Sequence, residues 1–559
     1  MRRLSWVFLF LATGALAASA ARFNDDVVIY GGTPSGLAAA EAVIRAGATA
    51  IVVEPTAHIG GMITGGIAIT DTSTPQFVGG IAAEFFDDVA AGERKEHLTL
   101  ATPVLIFRGN PLPWRAPANW DLEPKTARRV FIDWVRRGGY KLILNERVSQ
   151  VNIDRRQIQS IVLTGGSTIS GKMFIDASYE GDLMARAGVS HTYGRESQAQ
   201  YGESFAGIRP PHFIKNYSEQ TYDTPGIEYM HHGQFGANIA ARTSNGKLLW
   251  GVEPGPLGQI GAADKRIQAY CYRLIATQRK ASKVSWPQPR RYDPAHYELL
   301  LRYIQTHPGI SFARLVHLGA IPGGKFDLNA SGPFSIDFIG GNKGYPEASY
   351  PRRDQMLQEH EDYEKGFFWF LAHDPRIPST LQEEVNSWGL AADEWTDSNH
   401  WPTQIYMRES RRMLGEYVMT QNDILVNKQK PDSVGMGSFV LDCHWVRRFA
   451  NAGGFVRVEG HLDESINLAQ NPYEIPYRSI APKASECANL LVPVCLSATH
   501  VALCTIRMEP VYMILGHSAG TAAVLAIRSG KPVQQIDTRL LTQHLRAQKQ
   551  VLQESERRY

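Results

Sequence analysis

The sequence predicts an α/β fold with a parallel, doubly wound sheet, and three observations support this prediction. The first is a βαβ pattern over residues 27–54, in which a β-branched run, a glycine-rich turn, an alanine-rich stretch and a second apolar run follow one another. The second is an apolar run at 173–176 that leads into small residues. The third is a stretch of small and apolar residues at 516–527. The βαβ unit is the building block of such sheets.

The βαβ pattern has the residue types that a dinucleotide site needs. Gly31 allows a tight turn after the first strand, and Gly36 lets the following helix pack closely on that strand. Glu54 ends the second strand 23 residues after Gly31, near the spacing of about 20 residues expected for an acid that binds a ribose hydroxyl. Thr33 stands where the dinucleotide fingerprint has glycine, so an ordinary glycine turn is the alternative. The candidate cofactor contacts in this unit are Gly31, Gly32, Pro34, Ser35, Gly36 and Glu54.

Two later segments favour a flavin dinucleotide over a nicotinamide dinucleotide, and a third agrees with them. Residues 60–62 are glycine-rich where the chain of a two-dinucleotide-domain flavoprotein passes over the pyrophosphate and needs backbone clearance. The run at 173–176 leads into a turn where such a chain returns to the cofactor. Residues 141–148 read as a strand, which in flavoproteins brings a backbone edge to the adenine. The candidate contacts in these segments are Gly60, Gly61, Met62, Val148, Ala177 and Asp182.

The C-terminal stretch 516–527 predicts a helix whose N-terminus points at the flavin. Reduction places negative charge on the N1/O2 edge of a flavin, and the positive end of a helix dipole stabilises that charge. The small residues Gly516 and Gly520 allow a close approach, and a helix–helix contact is the alternative. Flavoproteins usually place a Gly-Asp pair on the preceding strand, where this chain has Val494-Cys495-Leu496. Asp182 therefore becomes the candidate for the ribityl or pyrophosphate region.

Catalytic candidates follow from the chemistry of hydride removal. Moving a hydride from a carbinol or amine carbon to a flavin requires a base for the proton on the heteroatom, and histidine suits this task near neutral pH. His500 is the first candidate because it lies between two flavin-facing segments, and His517 is the second. A structural role is the alternative for each histidine. Arg507 would hold the flavin O2 or a substrate oxygen, or it would pair with Glu509.

Seven segments occur in order over nearly the whole chain after residue 20. They are residues 30–36 (YGGTPSG), 174–182 (FIDASYEGD), 194–197 (GRES), 337–341 (DFIGG), 374–378 (DPRIP), 408–412 (RESRR) and 507–510 (RMEP). In this order they resemble a family of bacterial FAD-dependent oxidoreductases that is distantly similar to the flavin subunit of heterodisulfide reductase. The resemblance implies FAD as cofactor and a Rossmann-like FAD-binding domain of the two-dinucleotide-domain type. Many members of the family are exported, and some carry polysaccharide-lyase labels.

The flavin motifs lie at both ends of the chain, which predicts a discontinuous FAD-binding domain at 23–195 and 435–531. Residues 196–434 then form an inserted α+β substrate domain, and residues 532–559 form a helical C-terminal tail.

Three groups in the insertion are further candidates for substrate contacts. Residues 326–329 and 335–337 are polar and lie among glycines, which suits a ligand-contacting loop. Four tryptophans suit a sugar or ring substrate and suit a core equally well. Three arginines, spaced as on one helix face, would grip a carboxylate or form a salt-bridged surface. These residues are Trp369, Trp388, Trp395, Trp401, Arg408, Arg411 and Arg412.

Residues 1–20 read as a signal peptide, with two arginines, an apolar run and the small residues Ala18-Ser19-Ala20. The apolar run is shorter than the roughly 20 residues that a bilayer span needs, so a membrane anchor is the less favoured alternative. We expect an exported protein, periplasmic or secreted, with no membrane span after leader cleavage. Arg2 and Arg3 leave the Sec and twin-arginine routes open.

Composition excludes several classes of function. The 559 residues are 43% hydrophobic and 20% charged, which predicts a large packed core. A net charge of +3 without a Lys/Arg-rich run gives no footprint for nucleic acid. The five cysteines are widely spaced and match neither zinc nor iron–sulfur ligand patterns, so we expect no metal site. They suit buried packing, with or without one disulfide.

These observations predict an exported FAD-dependent oxidoreductase, either an oxidase or a dehydrogenase. Its substrate would be a small molecule such as a sugar, alcohol or amine, and its electron acceptor oxygen or a periplasmic carrier. Two alternatives stay open. One is a polysaccharide lyase or hydrolase with an assisting or structural FAD, and the other is a non-catalytic flavin-binding protein.

Overall fold

The computed structural model describes residues 21–558 except 72–73, 97, 99–105, 108–109, 112–119, 210–236, 427 and 463–471. The predicted signal peptide at 1–20 lies outside the described residues. The helices are α1 Pro34–Arg45, α2 Gly61–Gly65, α3 Gly80–Lys95, α4 Pro124–Gly138, α5 Asp182–Arg186, α6 Gln198–Tyr201, α7 Glu298–Thr306, α8 Phe312–Leu315, α9 Tyr350–His373, α10 Ser379–Ser387, α11 Gln421–Leu425, α12 His500–Ile506, α13 Glu509–Ser529 and α14 Thr538–Ala547. The strands are β1 Arg22–Tyr30, β2 Ala50–Glu54, β3 Ile106–Phe107, β4 Asn110–Pro111, β5 Lys141–Leu144, β6 Val148–Asp154, β7 Gln157–Leu163, β8 Thr168–Asp176, β9 His191–Thr192, β10 Leu274–Thr277, β11 Lys283–Val284, β12 Val316–Ile321, β13 Lys325–Ala330, β14 Gly389–Ala391, β15 Arg412–Met413, β16 Ser433–Gly437, β17 Arg447–Ala450, β18 Val456–Glu459, β19 Tyr473–Pro476 and β20 Leu490–Leu491.

The largest sheet has seven strands, in the order β5-β2-β1-β8-β7-β6, with β20 beside β8. β5, β2, β1, β8 and β20 pair in parallel, whereas β7 and β6 continue the sheet in antiparallel pairing. The end of β1 and the whole of β2 are buried, as parallel strands covered on both faces must be. The predicted α/β fold and its first βαβ unit are therefore confirmed.

Helix α13 packs along α1. The predicted start of this C-terminal helix is wrong, because α13 begins at Glu509 and not at Gly516. A Cβ atom on Gly516 would lie 2.0 Å from the carbonyl oxygen of Ser35. One on Gly520 would lie 2.4 Å from the carbonyl oxygen of Ala39. The two glycines therefore form a close helix–helix contact, which is the alternative to their predicted approach to the flavin.

Among the described residues, α13 is the one helix long and apolar enough to cross a membrane by length and composition. However, 94% of its apolar window is buried inside the protein, as in a core helix.

The second-largest sheet has five antiparallel strands, in the order β11-β14-β10-β13-β12, and all of them lie within the predicted insertion. The predicted loop at 326–329 is wrong because these residues form the middle of β13, paired with β12 and β10. Residues 335–337 do lie outside any helix or strand.

The tryptophans of the insertion divide between the core and its margin. Trp388, Trp395 and Trp401 are buried in the hydrophobic core. Trp369 is only partly buried, and its ring stacks on His373 with the centroids 3.8 Å apart.

The predicted helix face of Arg408, Arg411 and Arg412 is wrong. Residues 408–411 have no helical hydrogen bonding, and Arg412 belongs to β15. Even so, each buried guanidinium binds a carboxylate: Arg408 binds Asp337 at 2.8 Å, Arg411 binds Asp182 at 2.8 Å, and Arg412 binds Glu196 at 2.6 Å.

Strand pairing and ion pairs join the predicted flavin domain to the predicted insertion. β9 pairs with β15, and the Asp182 carboxylate binds both Arg353 of α9 and Arg411. The four domain boundaries stay predictions. α14 lies within the predicted tail.

Candidate functional site

The glycine-rich turn brings the N-terminus of α1 against the end of β8. Gly31 has a φ angle of +106°, and a Cβ atom there would lie 2.7 Å from the backbone carbon of Ala177. A Cβ atom on Gly36 would lie 1.9 Å from the carbonyl oxygen of Gly31. Glycine is therefore required at both positions, as the sequence predicts.

Thr33 explains why the chain departs from the glycine fingerprint. As the N-cap of α1, its Oγ1 accepts a hydrogen bond from the Gly36 N–H at 3.2 Å and donates one to the carbonyl oxygen of Ala177 at 2.8 Å. Glycine would make neither bond. Pro34 occupies the first helical position, where no N–H group is needed.

Glu54 lies beside the turn at the end of β2. Its Oε2 accepts a hydrogen bond from the Gly32 N–H at 2.7 Å, and its Oε1 accepts bonds from the N–H and hydroxyl of Thr56 at 2.8 and 2.7 Å. Burial raises the pKa of Glu54 to about 7, although these hydrogen bonds act in the opposite direction. Oε1 already accepts two hydrogen bonds, whereas Oε2 accepts one and keeps a further lone pair for a ribose hydroxyl.

The segment Gly60 to Met62 packs over the same turn. The Gly60 N–H donates to the carbonyl oxygen of Gly32 at 2.7 Å. The Met62 N–H donates to the Tyr179 hydroxyl at 2.9 Å, and this hydroxyl donates to Glu509 at 2.5 Å. Burial raises the pKa of Glu509 to about 8, so this carboxyl is largely protonated at neutral pH.

Two further predicted contacts already have partners inside the protein. The Val148 N–H donates to the Tyr30 hydroxyl at 3.4 Å, and its carbonyl oxygen accepts from the Tyr350 hydroxyl at 2.8 Å. Asp182 is held by two guanidiniums, as described above. The adenine role of Val148 and the ribityl role of Asp182 stay predictions.

The turn fits the pyrophosphate of FAD. Ser35 is fully buried in the first turn of α1, and its hydroxyl has no hydrogen-bond partner within the described chain. Gly31 and Gly36 leave no room for side chains, and the N-terminus of the twelve-residue helix α1 presents N–H groups to an anion. These residues would hold the pyrophosphate, and Glu54 the ribose.

His500, the first catalytic candidate, lies at the start of α12 and is 1% exposed. Its Nδ1 lies 2.9 Å from Glu409 Oε2, and its Nε2 lies 3.6 Å from Cys443 Sγ. Cys443 is joined to Cys504 by a disulfide bond. The His500 ring therefore faces a carboxylate on one side and a disulfide on the other.

His517 and Arg507 have separate surroundings. His517 Nε2 lies 2.5 Å from Gln548 Oε1, and burial lowers its pKa to about 4. Arg507 donates to the Tyr406 hydroxyl and to Asp442, each at 2.8 Å. The alternative pairing of Arg507 with Glu509 does not occur, since Glu509 binds Tyr179.

The structure adds one residue that the sequence did not indicate. His444 is buried, its Nδ1 lies 2.6 Å from Asp337 Oδ2, and its Nε2 lies 3.5 Å from Asp442 Oδ2. Burial alone would raise the pKa of Asp337, but Arg408 and His444 hold it well below its usual value. An ionised Asp337 thus fixes the orientation of the His444 ring. No local motif marks His444; only its position next to Cys443 is visible in the sequence.

Three buried arginines face the Tyr406 ring, and one of them, Arg507, shares the Asp442 carboxylate with His444. The guanidinium carbons of Arg273, Arg408 and Arg507 lie 5.6, 4.5 and 5.7 Å from its centroid. Arg273 and Arg408 come from the predicted insertion, whereas Arg507 lies between α12 and α13. The structure therefore brings Arg507 together with His444, and places His517 against the C-terminal tail.

Two clusters within the described residues have the spacing to hold a metal ion. In the first, Cys443, His500 and Cys504, the sulfurs are joined to each other. In the second, Lys325 lies 2.6 Å from Glu123, 2.5 Å from Glu394 and 3.2 Å from Asp393, and it supplies the positive charge itself.

We expect the affinity for FAD to rise with pH and to level off above about pH 8, because the ionised form of Glu54 is the better acceptor for ribose hydroxyls and its pKa is about 7. Glu54→Gln should weaken binding by about 1 to 3 kcal/mol and remove most of this pH dependence. Flavin fluorescence titrations from pH 5.5 to 9 measure both effects, with Glu41→Gln on α1 as a matched control. A wild-type affinity independent of pH would contradict the assignment.

The family model described as FAD dependent oxidoreductase matches residues 26–545. No curated protein matches the chain. Among solved structures, OxyS anhydrotetracycline hydroxylase from Streptomyces rimosus is 17% identical over 32% of this chain and 36% of that chain, with a TM-score of 0.24.

Two other solved structures are similar to the same extent. L-proline dehydrogenase from P. horikoshii is 15% identical over 32% of this chain and 59% of that chain, with a TM-score of 0.24. NikD, an unusual amino acid oxidase essential for nikkomycin biosynthesis, is 16% identical over 31% of this chain and 57% of that chain, with a TM-score of 0.21. Such partial matches carry no argument about substrate. The match to the family model covers most of the sequence, and the chain therefore belongs to the FAD dependent oxidoreductase family, with FAD as its cofactor.

Proposed function

We propose that the protein is an exported enzyme that oxidises a carbinol or amine carbon of a small molecule, with saccharides as the first substrates to test. Bound FAD supplies the hydride acceptor at N5. The electrons then pass to oxygen or to a periplasmic carrier. The histidine–carboxylate pair His444–Asp337, buried beside Arg507, carries this proposal.

His444 has the surroundings of a general base. Assigning its Nδ1 proton to the bond with Asp337 makes Nε2, which lies 3.5 Å from Asp442 Oδ2, the proton acceptor, and the ionised Asp337 stabilises the imidazolium that forms. The backbone of His444 is also held, because its N–H donates to Gln268 Oε1 at 3.0 Å. A base whose orientation is fixed in this way needs little reorganisation when it takes a proton.

Arg507 is suited to hold a substrate oxygen near this base. Its guanidinium is fixed by Tyr406 and Asp442, and its Nε has no hydrogen-bond partner within the described residues. Arg507 meets the Tyr406 ring from one side while Arg273 and Arg408 of the insertion also face that ring. We therefore place the substrate between the flavin-binding part and the five-stranded sheet.

The signal-peptide pattern of residues 1–20 supports export. The disulfide Cys443–Cys504 is in keeping with an oxidising compartment.

Anaerobic mixing of the holoprotein with a panel of saccharides, alcohols and amines tests the proposed function. We expect one class to bleach the visible flavin absorbance and to yield a carbonyl or imine product. A polysaccharide cleaved to an unsaturated product without net oxidation would contradict this proposal and favour the lyase alternative. Bleaching by none of the three classes would also contradict it.

A further inference from the structure

We propose that Cys443–Cys504 is a redox-active disulfide that stores two electrons, and that His500 is its proton donor and acceptor. This proposal goes beyond substrate oxidation and requires only that FAD is reduced. Its starting point is the pair of polar groups that meet the two sulfurs. His500 Nε2 lies 3.6 Å from Cys443 Sγ, and the side-chain amide of Gln268 donates to Cys504 Sγ at 3.7 Å.

The His500 ring is held in the orientation that this role needs. Glu409 Oε2 lies 2.9 Å from Nδ1, so assigning the Nδ1 proton to this contact directs Nε2 at the sulfur. Glu409 is itself held by Arg412 at 3.1 Å and by the Gln268 N–H at 2.7 Å. Burial alone would raise the pKa of Glu409, but His500 and Arg412 together keep it below its usual value. An ionised Glu409 stabilises a protonated His500.

A protonated imidazole at Cys443 and an amide donor at Cys504 favour the reduced form of the pair. A thiolate is stabilised by a neighbouring cation or hydrogen-bond donor, and a disulfide whose reduced form is stabilised accepts electrons more readily. A disulfide that serves stability alone needs neither group, because its sulfurs are apolar. Here a carboxylate, an arginine and a glutamine orient the donors.

The electrons must reach this pair from inside the molecule, because both sulfurs are fully buried. Cys504 lies in α12, after β20 in the chain, and β20 pairs in parallel with β8. Ligands of open parallel sheets bind beyond the carboxyl ends of the strands, where the Gly31 turn also lies. We therefore take reduced flavin as the electron donor to the Cys443–Cys504 disulfide.

The step balances in atoms and charge. The sulfur–sulfur bond breaks as two electrons and one proton arrive from the anionic reduced flavin, which returns to the oxidised state, and a second proton enters from solvent. One proton goes to Cys504 to form a thiol, and the other goes to Nε2 of His500. Cys443 keeps the electron pair as a thiolate beside the resulting imidazolium. Reoxidation reverses each of these changes.

Anaerobic titration of the holoprotein with dithionite, followed by alkylation of the denatured chain and mass spectrometry, tests this proposal. Cys271, Cys487 and Cys495 are free, so alkylated cysteines should rise from three to five. Uptake should approach about four electrons per flavin, against about two for Cys443→Ser. His500→Gln should slow appearance of the two new thiols about 10²-fold relative to flavin reduction. The apoprotein under dithionite is the control and should keep three alkylated cysteines.

Two results would overturn the proposal. The first is a flavin that is fully reduced while three cysteines are alkylated and uptake stops at two electrons; this leaves the proposed substrate oxidation intact. The second is purified protein that holds one zinc ion per chain and no disulfide, which would make Cys443, His500 and Cys504 a metal site.

Discussion

Replacing His444 by alanine is expected to slow flavin reduction by substrate about 10²- to 10⁴-fold, the usual contribution of a positioned general base. His444 Nε2 takes the heteroatom proton while Asp337 holds the ring, so the loss should appear in the reductive step. The rate of flavin reduction is measured by rapid mixing of the enzyme with the substrate that the panel identifies. The loss of flavin absorbance is normalised to flavin content. FAD affinity should change little, because the contacts described for His444 are with Asp337, Asp442 and Gln268, outside the glycine-rich turn.

His360 provides the matched control for this experiment. It is also a buried histidine, but its Nδ1 contacts the backbone oxygen of Met356 in its own helix α9, at 2.7 Å, and not a carboxylate. His360→Ala should lower thermal stability without slowing reduction per bound flavin. If His444→Ala shows the same pattern as His360→Ala, His444 has a structural role and the base lies elsewhere.

Replacing Gly36 by alanine is expected to abolish most FAD binding. The added Cβ atom would lie 1.9 Å from the carbonyl oxygen of Gly31, so α1 and the turn must separate. This overpacking costs about 1 to 3 kcal/mol of folding free energy. Loss of one or two hydrogen bonds to the pyrophosphate would weaken FAD about 10- to 100-fold. Flavin content after purification and an FAD titration of the apoprotein measure the two effects separately.

Gly453→Ala is a suitable control for this prediction. Gly453 is exposed, and the nearest atoms to an added Cβ are ring carbons of Phe455 at 3.2 Å, which belong to a movable side chain. It should bind FAD as the wild type does. A Gly36→Ala protein with full flavin content would show that the turn does not hold the pyrophosphate.

The sequence was sufficient for features that depend on neighbouring residues. The βαβ unit could be predicted because the turn glycines and Glu54 follow one another within 24 residues. The role of Thr33 could not, since its second hydrogen bond reaches Ala177, 144 positions away. The same reason hides His444, whose partner Asp337 is 107 positions away in the chain.

Two wrong predictions arose where periodicity has more than one physical origin. Arg408, Arg411 and Arg412 have helical spacing, but they lie outside any helix and each binds a different carboxylate. The small residues from Gly516 onward fit a helix end as well as a helix middle. Only the position of α1 against Gly516 and Gly520 distinguishes the two.

The packing of α1 against α13 and the pairing of β8 with β20 join segments from the two ends of the chain, and this has a consequence for biosynthesis. β1 and α1 are complete by Arg45, whereas β20 begins at Leu490 and α13 ends at Ser529. A chain that emerges from the ribosome therefore exposes the apolar faces of its first βαβ unit until almost all of it has been made. Closure of the cofactor site is a late event, and FAD is expected to select chains that have finished translation.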